Sequence, residues 1–156
     1  MSIGLRKAGL EDMESLLRLR IDYLNEDRGN LTHEEETTIK VQLEKYFLKH
    51  IPNGTFIGIF AETDGLIVSV AYLAISEKPA NTVFITGITG TLLNVLTHPE
   101  YRRKGIATKV IDKIIEEAKA VRVSHIDLSA TLGGKGLYEK MGFKESNNTA
   151  MSLRLV

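Results

Sequence analysis

The segment at residues 92–118 constrains the fold of this chain more than any other feature. An apolar run at residues 92–97 is typical of a buried strand, and Pro99 ends it because proline cannot continue a hydrogen-bonded ladder. Apolar side chains then recur at i, i+3 and i+4, which predicts an amphipathic helix. They are Ala107, Val110, Ile111, Ile114, Ile115 and Ala118. The chain therefore passes from a strand through a short turn into a long helix.

The turn between that strand and that helix is basic. Three consecutive cations and a glycine stand where the first helical turn leaves backbone N–H groups without internal partners. They are Arg102, Arg103, Lys104 and Gly105. The free donors, the positive end of the helix dipole and the cationic side chains together favour the binding of phosphate groups. The simpler alternative to a phosphate site is a basic first helical turn that is only hydrated by solvent.

A second motif, Leu-Tyr-Glu-Lys-Met-Gly-Phe at residues 137–143, follows in the chain. Together with Arg-Arg-Lys-Gly-Ile-Ala at residues 102–107, it resembles the GNAT superfamily of acetyl-CoA-dependent N-acetyltransferases. The order and spacing of the two motifs match that family, and the resemblance covers nearly the whole chain. It implies a mixed α/β fold. Its central sheet is mixed and mostly antiparallel, is splayed between strands 4 and 5, and is flanked by about four helices.

The resemblance also implies a site for acetyl-CoA as co-substrate. The main chain of Val95, Leu96 and Thr97 would pair with the pantetheine arm as an added strand does. The pyrophosphate would lie on the basic turn and the first helical residues, namely Arg102, Arg103, Lys104, Gly105, Ile106, Ala107 and Thr108. Thr131 stands where many relatives have an asparagine that contacts the coenzyme, and its hydroxyl can still hydrogen-bond.

Tyr138 matches the family tyrosine that acts as general acid beside the thioester sulfur. A phenol with a reference pKa of about 10 is protonated at neutral pH and can give its proton to a thiolate. A core tyrosine on a short helix is the alternative. Many relatives carry a general base early in the fourth strand, but the corresponding place here is near Thr91 and Leu93, and neither takes a proton. The proton of the acceptor amine is then transferred through water to a remote carboxylate, or the amine binds in its neutral form.

Three residues are candidates for contact with the acceptor: Arg20, Thr91 and Asn94. Arg20 falls on the apolar stripe of the first predicted helix, where a charge needs a partner or a wet cavity. Asp22 or Glu26 could be that partner; alternatively, Arg20 binds an anionic group of the substrate. Asn94 either contacts a ligand or pairs across a gap between strands.

Length and composition limit the number of domains and argue against binding to nucleic acid or to a membrane. At 156 residues the chain is expected to be a single domain, residues 1–156. Lys plus Arg and Asp plus Glu are both 20, so no basic face for nucleic acid is expected. No apolar run long enough to span a membrane and no hydrophobic signal core are visible, which predicts no membrane association and a cytoplasmic protein.

Cysteine is absent from the sequence, which excludes disulfides, thiolate metal sites and a cysteine-linked acyl-enzyme. The four histidines are scattered without the spacing of a zinc motif, so no metal is expected. The glycines at residues 133–136 lack the upstream glycine of a phosphate-binding P-loop and are interpreted as a turn.

Periodicity predicts the order strand, two helices, three strands, helix, strand, helix, strand. A capping box of Thr32 and Glu35 opens the second helix, and residues 63–65 form a hairpin turn. The last three elements are a strand at about 126–130, a short helix near 135–141 and a strand at about 150–155.

These features predict an N-acetyltransferase that moves an acetyl group from acetyl-CoA to a primary amine by direct attack in a ternary complex. A small-molecule amine is the expected acceptor, and the protein is a monomer or a homodimer. Two alternatives remain at this point. One is a coenzyme A-binding sensor without turnover, and the other is a nucleotide-binding module that uses the basic turn.

Overall fold

The computed structural model describes residues 2–156. The chain forms five strands and four α-helices. The strands are β1 (Gly4–Lys7), β2 (Phe56–Thr63), β3 (Leu66–Glu77), β4 (Ile88–Thr97) and β5 (His125–Asp127). The helices are α1 (Met13–Arg28), α2 (His33–His50), α3 (Ile106–Ala120) and α4 (Leu132–Lys140). Their order along the chain is β1, α1, α2, β2, β3, β4, α3, β5, α4. Two short 3-10 turns, Leu10–Asp12 and Pro99–Tyr101, precede α1 and follow β4.

The strands form one sheet in the order β1-β2-β3-β4-β5. The first three pairings are antiparallel, and β4 with β5 is parallel. A parallel pair needs a crossover connection, and α3 supplies it. The fold class predicted from the sequence, a mixed and mostly antiparallel sheet flanked by four helices, is confirmed.

The sheet is covered on both faces. One face packs on α3, whose predicted apolar stripe is buried at Val110, Ile111, Ile114 and Ala118. The other face packs on α1 and α2 through an aromatic cluster that includes Phe47, Phe56 and Tyr72. Full burial of one such side chain stabilises the fold by about 1.5–3 kcal/mol. The two cores hold the strands that carry the site in place.

Two local predictions are confirmed. Thr32 Oγ1 accepts from Glu35 N at 3.1 Å, and Thr32 N donates to Glu35 Oε1 at 2.9 Å, so the capping box is formed. Asp64 and Gly65 have φ of 50° and 77°, as the two-residue turn of a β2–β3 hairpin requires.

The sheet opens between β4 and β5. Their pairing covers only Thr89 to Thr91 of β4, which continues to Thr97 without that neighbour. In β4 the register against β3 shifts beside Asn94, whose φ is 57°. A bulge of this kind bends and twists its strand, so it directs the second half of β4 away from β5.

Three expectations on element bounds are wrong. The glycines at residues 133–136 lie inside α4, because Thr131 caps that helix and its side chain accepts from Gly134 N. β5 is short and stops at Asp127. The predicted strand at 150–155 is not formed: residues 144–156 make no backbone–backbone hydrogen bond to any described residue, and alternating apolar residues alone do not make a strand.

None of the helices in the described part of the chain combines the length and the hydropathy that crossing a membrane requires.

Candidate active site

A cleft of about 800 Å³ lies where β4 separates from β5. The second half of β4, the basic turn with the start of α3, and the start of α4 form its walls. Of the eleven residues predicted to bind the coenzyme, ten line it: Val95, Leu96, Thr97, Arg102, Arg103, Gly105, Ile106, Ala107, Thr108 and Thr131. Lys104 does not line the cleft; its Nζ lies 5.7 Å from the centre of the Tyr101 ring.

The backbone of the basic turn presents a row of free amides. Arg102 N donates to Pro99 O and Lys109 N donates to Gly105 O, but the N–H groups of residues 103–108 have no acceptor within residues 2–156. Arg103 and Gly105 have φ of 61° and 76°, and left-handed residues of this kind are typical of turns whose successive N–H groups form a concave row. Such a concave row at a helix N-terminus binds anions. It fits a pyrophosphate.

Arg102 is fixed at the mouth of the cleft. Its Nε donates to Thr97 O at 2.9 Å, and its Nη2 lies 2.9 Å from Glu26 Oε1 of α1. These two contacts join β4, α1 and the basic turn. The pair is exposed and contributes at most about 1 kcal/mol, so it orients the guanidinium without withholding it from a phosphate.

The edge of β4 that faces the cleft is free of backbone partners beyond Thr91, because β5 ends at Asp127. Val95, Leu96 and Thr97 lie on this part of the strand and line the cleft. A free strand edge pairs with an extended chain of amides, which is the chemistry of a pantetheine arm.

Thr131 stands at the opposite wall. Its Oγ1 accepts from Gly134 N at 3.1 Å, so the side chain caps α4. The hydroxyl hydrogen remains free to donate into the cleft.

Tyr138 lies where the cleft meets a second groove, of about 1300 Å³, on the other side of the gap. Its half-buried ring packs edge-on against Phe143, with centroids 5.9 Å apart. Burial raises the pKa of the Tyr138 phenol above its ordinary value, and nearby Tyr23 adds to the rise. The phenol is therefore protonated at neutral pH, and Tyr138 lines both cavities.

The second groove contains a carboxylate that the sequence analysis did not single out. Asp127, at the end of β5, accepts a hydrogen bond from Thr91 Oγ1 at 3.0 Å. Both residues line the groove that Tyr138 closes. Only the parallel register, which pairs Thr91 with Asp127, brings them together, and 36 residues separate them in the chain.

Arg20 and Asn94 meet each other instead of lining either cavity. Arg20 Nη1 lies 3.4 Å from Asn94 Oδ1, and Asn94 Nδ2 donates to Leu19 O, also at 3.4 Å. Asn94 is fully buried. The guanidinium lies 5.9 Å from the centre of the Tyr23 ring, and burial lowers its pKa. The partners expected for Arg20 were wrong: Asp22 makes no ion pair with it, and Glu26 pairs with Arg102. A role of Arg20 or Asn94 at the acceptor stays a prediction.

Within residues 2–156, no three His, Asp or Glu side chains come together as a metal site would need.

Comparison with known proteins places these features in a family. The model of the Acetyltransferase (GNAT) family matches residues 14–143. The chain belongs to the GNAT family. It is thus an acetyl-CoA-dependent acyltransferase, and the basic turn, the splayed strands and α4 are the parts of a GNAT fold. None of the curated proteins compared with the sequence matches it.

Several solved structures resemble this GNAT chain over its whole length. A predicted acetyltransferase with acetyl-CoA from Clostridium acetobutylicum is 28% identical, with a TM-score of 0.86, and the match covers 97% of this chain and 96% of that one. A GCN5-related N-acetyltransferase from Ralstonia eutropha is 20% identical, with a TM-score of 0.83 and coverages of 97% and 99%. Glucosamine-6-phosphate N-acetyltransferase from Arabidopsis thaliana is 18% identical, with a TM-score of 0.68 and coverages of 98% and 99%. The last two show the likeness of fold alone.

Proposed function

We propose that the chain is a single-domain N-acetyltransferase, residues 1–156, that moves an acetyl group from acetyl-CoA to a small-molecule primary amine. The observation that carries the proposal is the position of Tyr138, which lines both the cleft with the free amides and the second groove. A donor held in the first cavity and an acceptor in the second meet at this phenol.

The donor is held by backbone more than by side chains. The free N–H groups of residues 103–108 bind the pyrophosphate, and the free edge of β4 at residues 95–97 binds the pantetheine amides. Both supports are rigid, because β4 and α3 are anchored in the core. This fixes the thioester in the gap between β4 and β5, and such orientation removes much of the entropic part of the barrier.

The reaction is direct attack in a ternary complex. The neutral amine nitrogen forms a bond to the acetyl carbon, the C–S bond breaks, and Tyr138 gives its proton to the departing thiolate. The chain has no cysteine for a thiol-linked acyl-enzyme. An acceptor screen with acetyl-CoA that reads free thiol tests the proposal. Thiol release with at least one small amine supports it. Release only with a peptide or protein amine would contradict the small-molecule acceptor, and tight coenzyme binding without any release would contradict turnover.

The proton of the amine is removed through Thr91 and Asp127. Thr91 uses its only hydroxyl hydrogen on Asp127 Oδ1, so its oxygen lone pairs are free to accept from an ammonium group or a water in the groove. The Thr91 hydroxyl links the Asp127 carboxylate to the position in β4 where many relatives carry their general base. Asp127 thus supplies the proton acceptor that the side chains of Thr91 and Leu93 cannot provide.

We expect Asp127→Asn to lower kcat/KM by about 10²-fold at neutral pH, because a general base contributes roughly that much. The loss should shrink as the pH rises toward the pKa of the acceptor amine, since a neutral amine needs no base. Full pH profiles of kcat/KM measure this. Asp112→Asn, an exposed change on α3, is the matched control and should stay within about twofold of wild type. If Asp127→Asn lowers kcat/KM by the same factor at every pH, Asp127 does not accept the proton of the amine.

Arg20 gives a prediction about the acceptor. Arg20 lines neither cavity, but its half-buried guanidinium lies beside Tyr23 of the cleft wall and makes no ion pair in residues 2–156, so an anionic group of an acceptor that extends past Tyr23 could bind it in a bidentate pair. We expect Arg20→Ala to raise KM for amines that carry a carboxylate or phosphate by about 10–100-fold, with KM for neutral amines and coenzyme binding unchanged. Steady-state kinetics with the two acceptor classes measure the difference.

Arg18→Ala is the control for Arg20, because Arg18 is an exposed arginine of the same helix. Arg20→Lys keeps the charge and should recover part of the affinity. If both acceptor classes lose equally, or if Arg20→Ala only lowers the melting temperature, Arg20 is a structural partner of Asn94.

A further inference from the structure

Two residues line both the cleft and the second groove, and the proposed mechanism uses only one of them. Tyr138 is the first, and Ser129 is the other. Ser129 lies two residues after the end of β5, and the chain then reaches the cap of α4 at Thr131. Ser129 is thus part of the junction between the two cavities, where a bound thioester and an acceptor amine come together.

The hydroxyl of Ser129 is free, unlike the threonine hydroxyls near this junction. Thr91 donates its hydrogen to Asp127 Oδ1 at 3.0 Å, and Thr131 Oγ1 accepts from Gly134 N at 3.1 Å to cap α4. Ser129 is exposed and makes no hydrogen bond within residues 2–156. A serine without a partner offers one donor and two acceptor positions to a ligand.

Direct attack on the thioester creates a charge that needs a further hydrogen-bond donor. When the amine nitrogen bonds to the acetyl carbon, an electron pair of the C=O bond moves to the oxygen, and the tetrahedral intermediate carries an oxyanion. In the proposed mechanism Tyr138 serves the sulfur and Asp127 takes the proton of the amine. Among the described residues that line both cavities, Ser129 is the one that remains for the oxyanion.

We propose that Ser129 is a catalytic residue whose Oγ–H donates a hydrogen bond to the acetyl oxygen of acetyl-CoA and stabilises the oxyanion. The inference rests on the proposed function. No proton passes to the oxygen: when the intermediate collapses, the C=O bond re-forms, the C–S bond breaks, and the thiolate takes the proton of Tyr138. The donor lowers the barrier because a hydrogen bond to a charged acceptor is about twice as strong as one to a neutral acceptor.

A free serine between a donor and an acceptor could instead act as a nucleophile and form an acetyl-serine. Such a serine needs a general base within hydrogen-bond reach of its hydroxyl. Asp127, two residues earlier in the chain, already accepts from Thr91 Oγ1, and no other described residue accepts from Ser129. The geometry therefore favours donation to the substrate oxygen over attack by the serine.

The first experiment compares serine variants by single-turnover kinetics and calorimetry. Ser129→Ala should lower kcat by about 10²-fold and change the Kd of coenzyme A by less than about threefold. Ser129→Thr keeps the hydroxyl and should recover most of the loss in kcat. Ser152→Ala is the control, because Ser152 is exposed and lines neither cavity, and it should stay within about twofold of wild type. A normal kcat in Ser129→Ala, beside a large loss in Tyr138→Phe, would overturn the inference and leave the proposed function intact.

The second experiment detects the hydrogen bond without turnover. Acetyl-CoA with a ¹³C label at the acetyl carbonyl is bound in the absence of amine, and infrared difference spectra give the C=O stretching frequency. A donor at the oxygen polarises the C=O bond, so we expect a lower frequency in wild type and Ser152→Ala than in Ser129→Ala. Equal frequencies in wild type and Ser129→Ala would overturn the inference.

Two further outcomes of that incubation are decisive. Peptide masses that show an acetyl group on Ser129 would identify it as a nucleophile and overturn the inference. A lower C=O frequency in wild type than in Ser129→Ala would support the hydrogen bond even if no amine released thiol from acetyl-CoA, and that absence of release would contradict the proposed function alone.

Discussion

Replacing Gly105 by aspartate is expected to abolish the stabilisation of the protein by coenzyme A. Gly105 has φ of 76° and precedes α3, in the middle of the row of free amides. A carboxylate there puts negative charge and bulk where we propose that the pyrophosphate binds, and repulsion between like charges at a few ångströms in a partly desolvated site costs several kcal/mol. We expect coenzyme affinity to fall by more than about 100-fold, as measured by calorimetry and by the coenzyme-dependent shift in melting temperature.

The matched control is Gly65→Asp in the hairpin turn. Gly65 has φ of 77°, and a Cβ at either glycine would meet no atom within 4 Å, so both variants carry the same backbone strain in open space. Aspartate tolerates this left-handed region better than most residues. Both should lose similar stability without ligand, and only Gly105→Asp should lose the response to coenzyme A. An unchanged response in Gly105→Asp would refute the assignment of the pyrophosphate to this turn.

Tyr138→Phe should lower kcat by about 10²–10⁴-fold, which is the usual contribution of a general acid. The ring that packs against Phe143 is kept, so coenzyme affinity should change by less than about threefold. Single-turnover kinetics and calorimetry measure the two effects separately. Because burial raises the pKa of Tyr138 above its ordinary value, the phenol keeps its proton at neutral pH, and an alkaline loss of wild-type activity that is caused by this acid should lie above the pH at which a free phenol titrates.

Tyr23→Phe is the control for the loss of a phenol in the same cleft. Tyr23 lines the coenzyme side but not the second groove, and burial raises its pKa as well. Its variant should stay within about threefold of wild type in kcat. If Tyr138→Phe also stays within that range, Tyr138 is a core residue and the leaving thiolate takes its proton elsewhere.

The sequence by itself determined the parts of this protein that depend on neighbouring residues. The stripe of α3, the capping box at Thr32 and the hairpin turn at Asp64 and Gly65 all follow from side chains a few positions apart. The basic turn is local in the same sense, because a helix start leaves its amides free whatever packs around it. The two motifs and the order of the elements were then sufficient to predict the fold class, the family and most of the residues that line the cleft between β4 and β5.

Only the tertiary structure decided which distant groups meet. Thr91 and Asp127 share a hydrogen bond because β4 and β5 are parallel and in one register, and Arg20 reaches Asn94 because a bulge in β4 lies against α1. Residues 150–155 show the reverse case: their alternation predicted a strand, yet no strand edge within residues 2–156 pairs with them. A strand forms only when another strand pairs with its backbone. Sequence periodicity specifies which side chains of a segment share a face, but not which strand edge the segment pairs with.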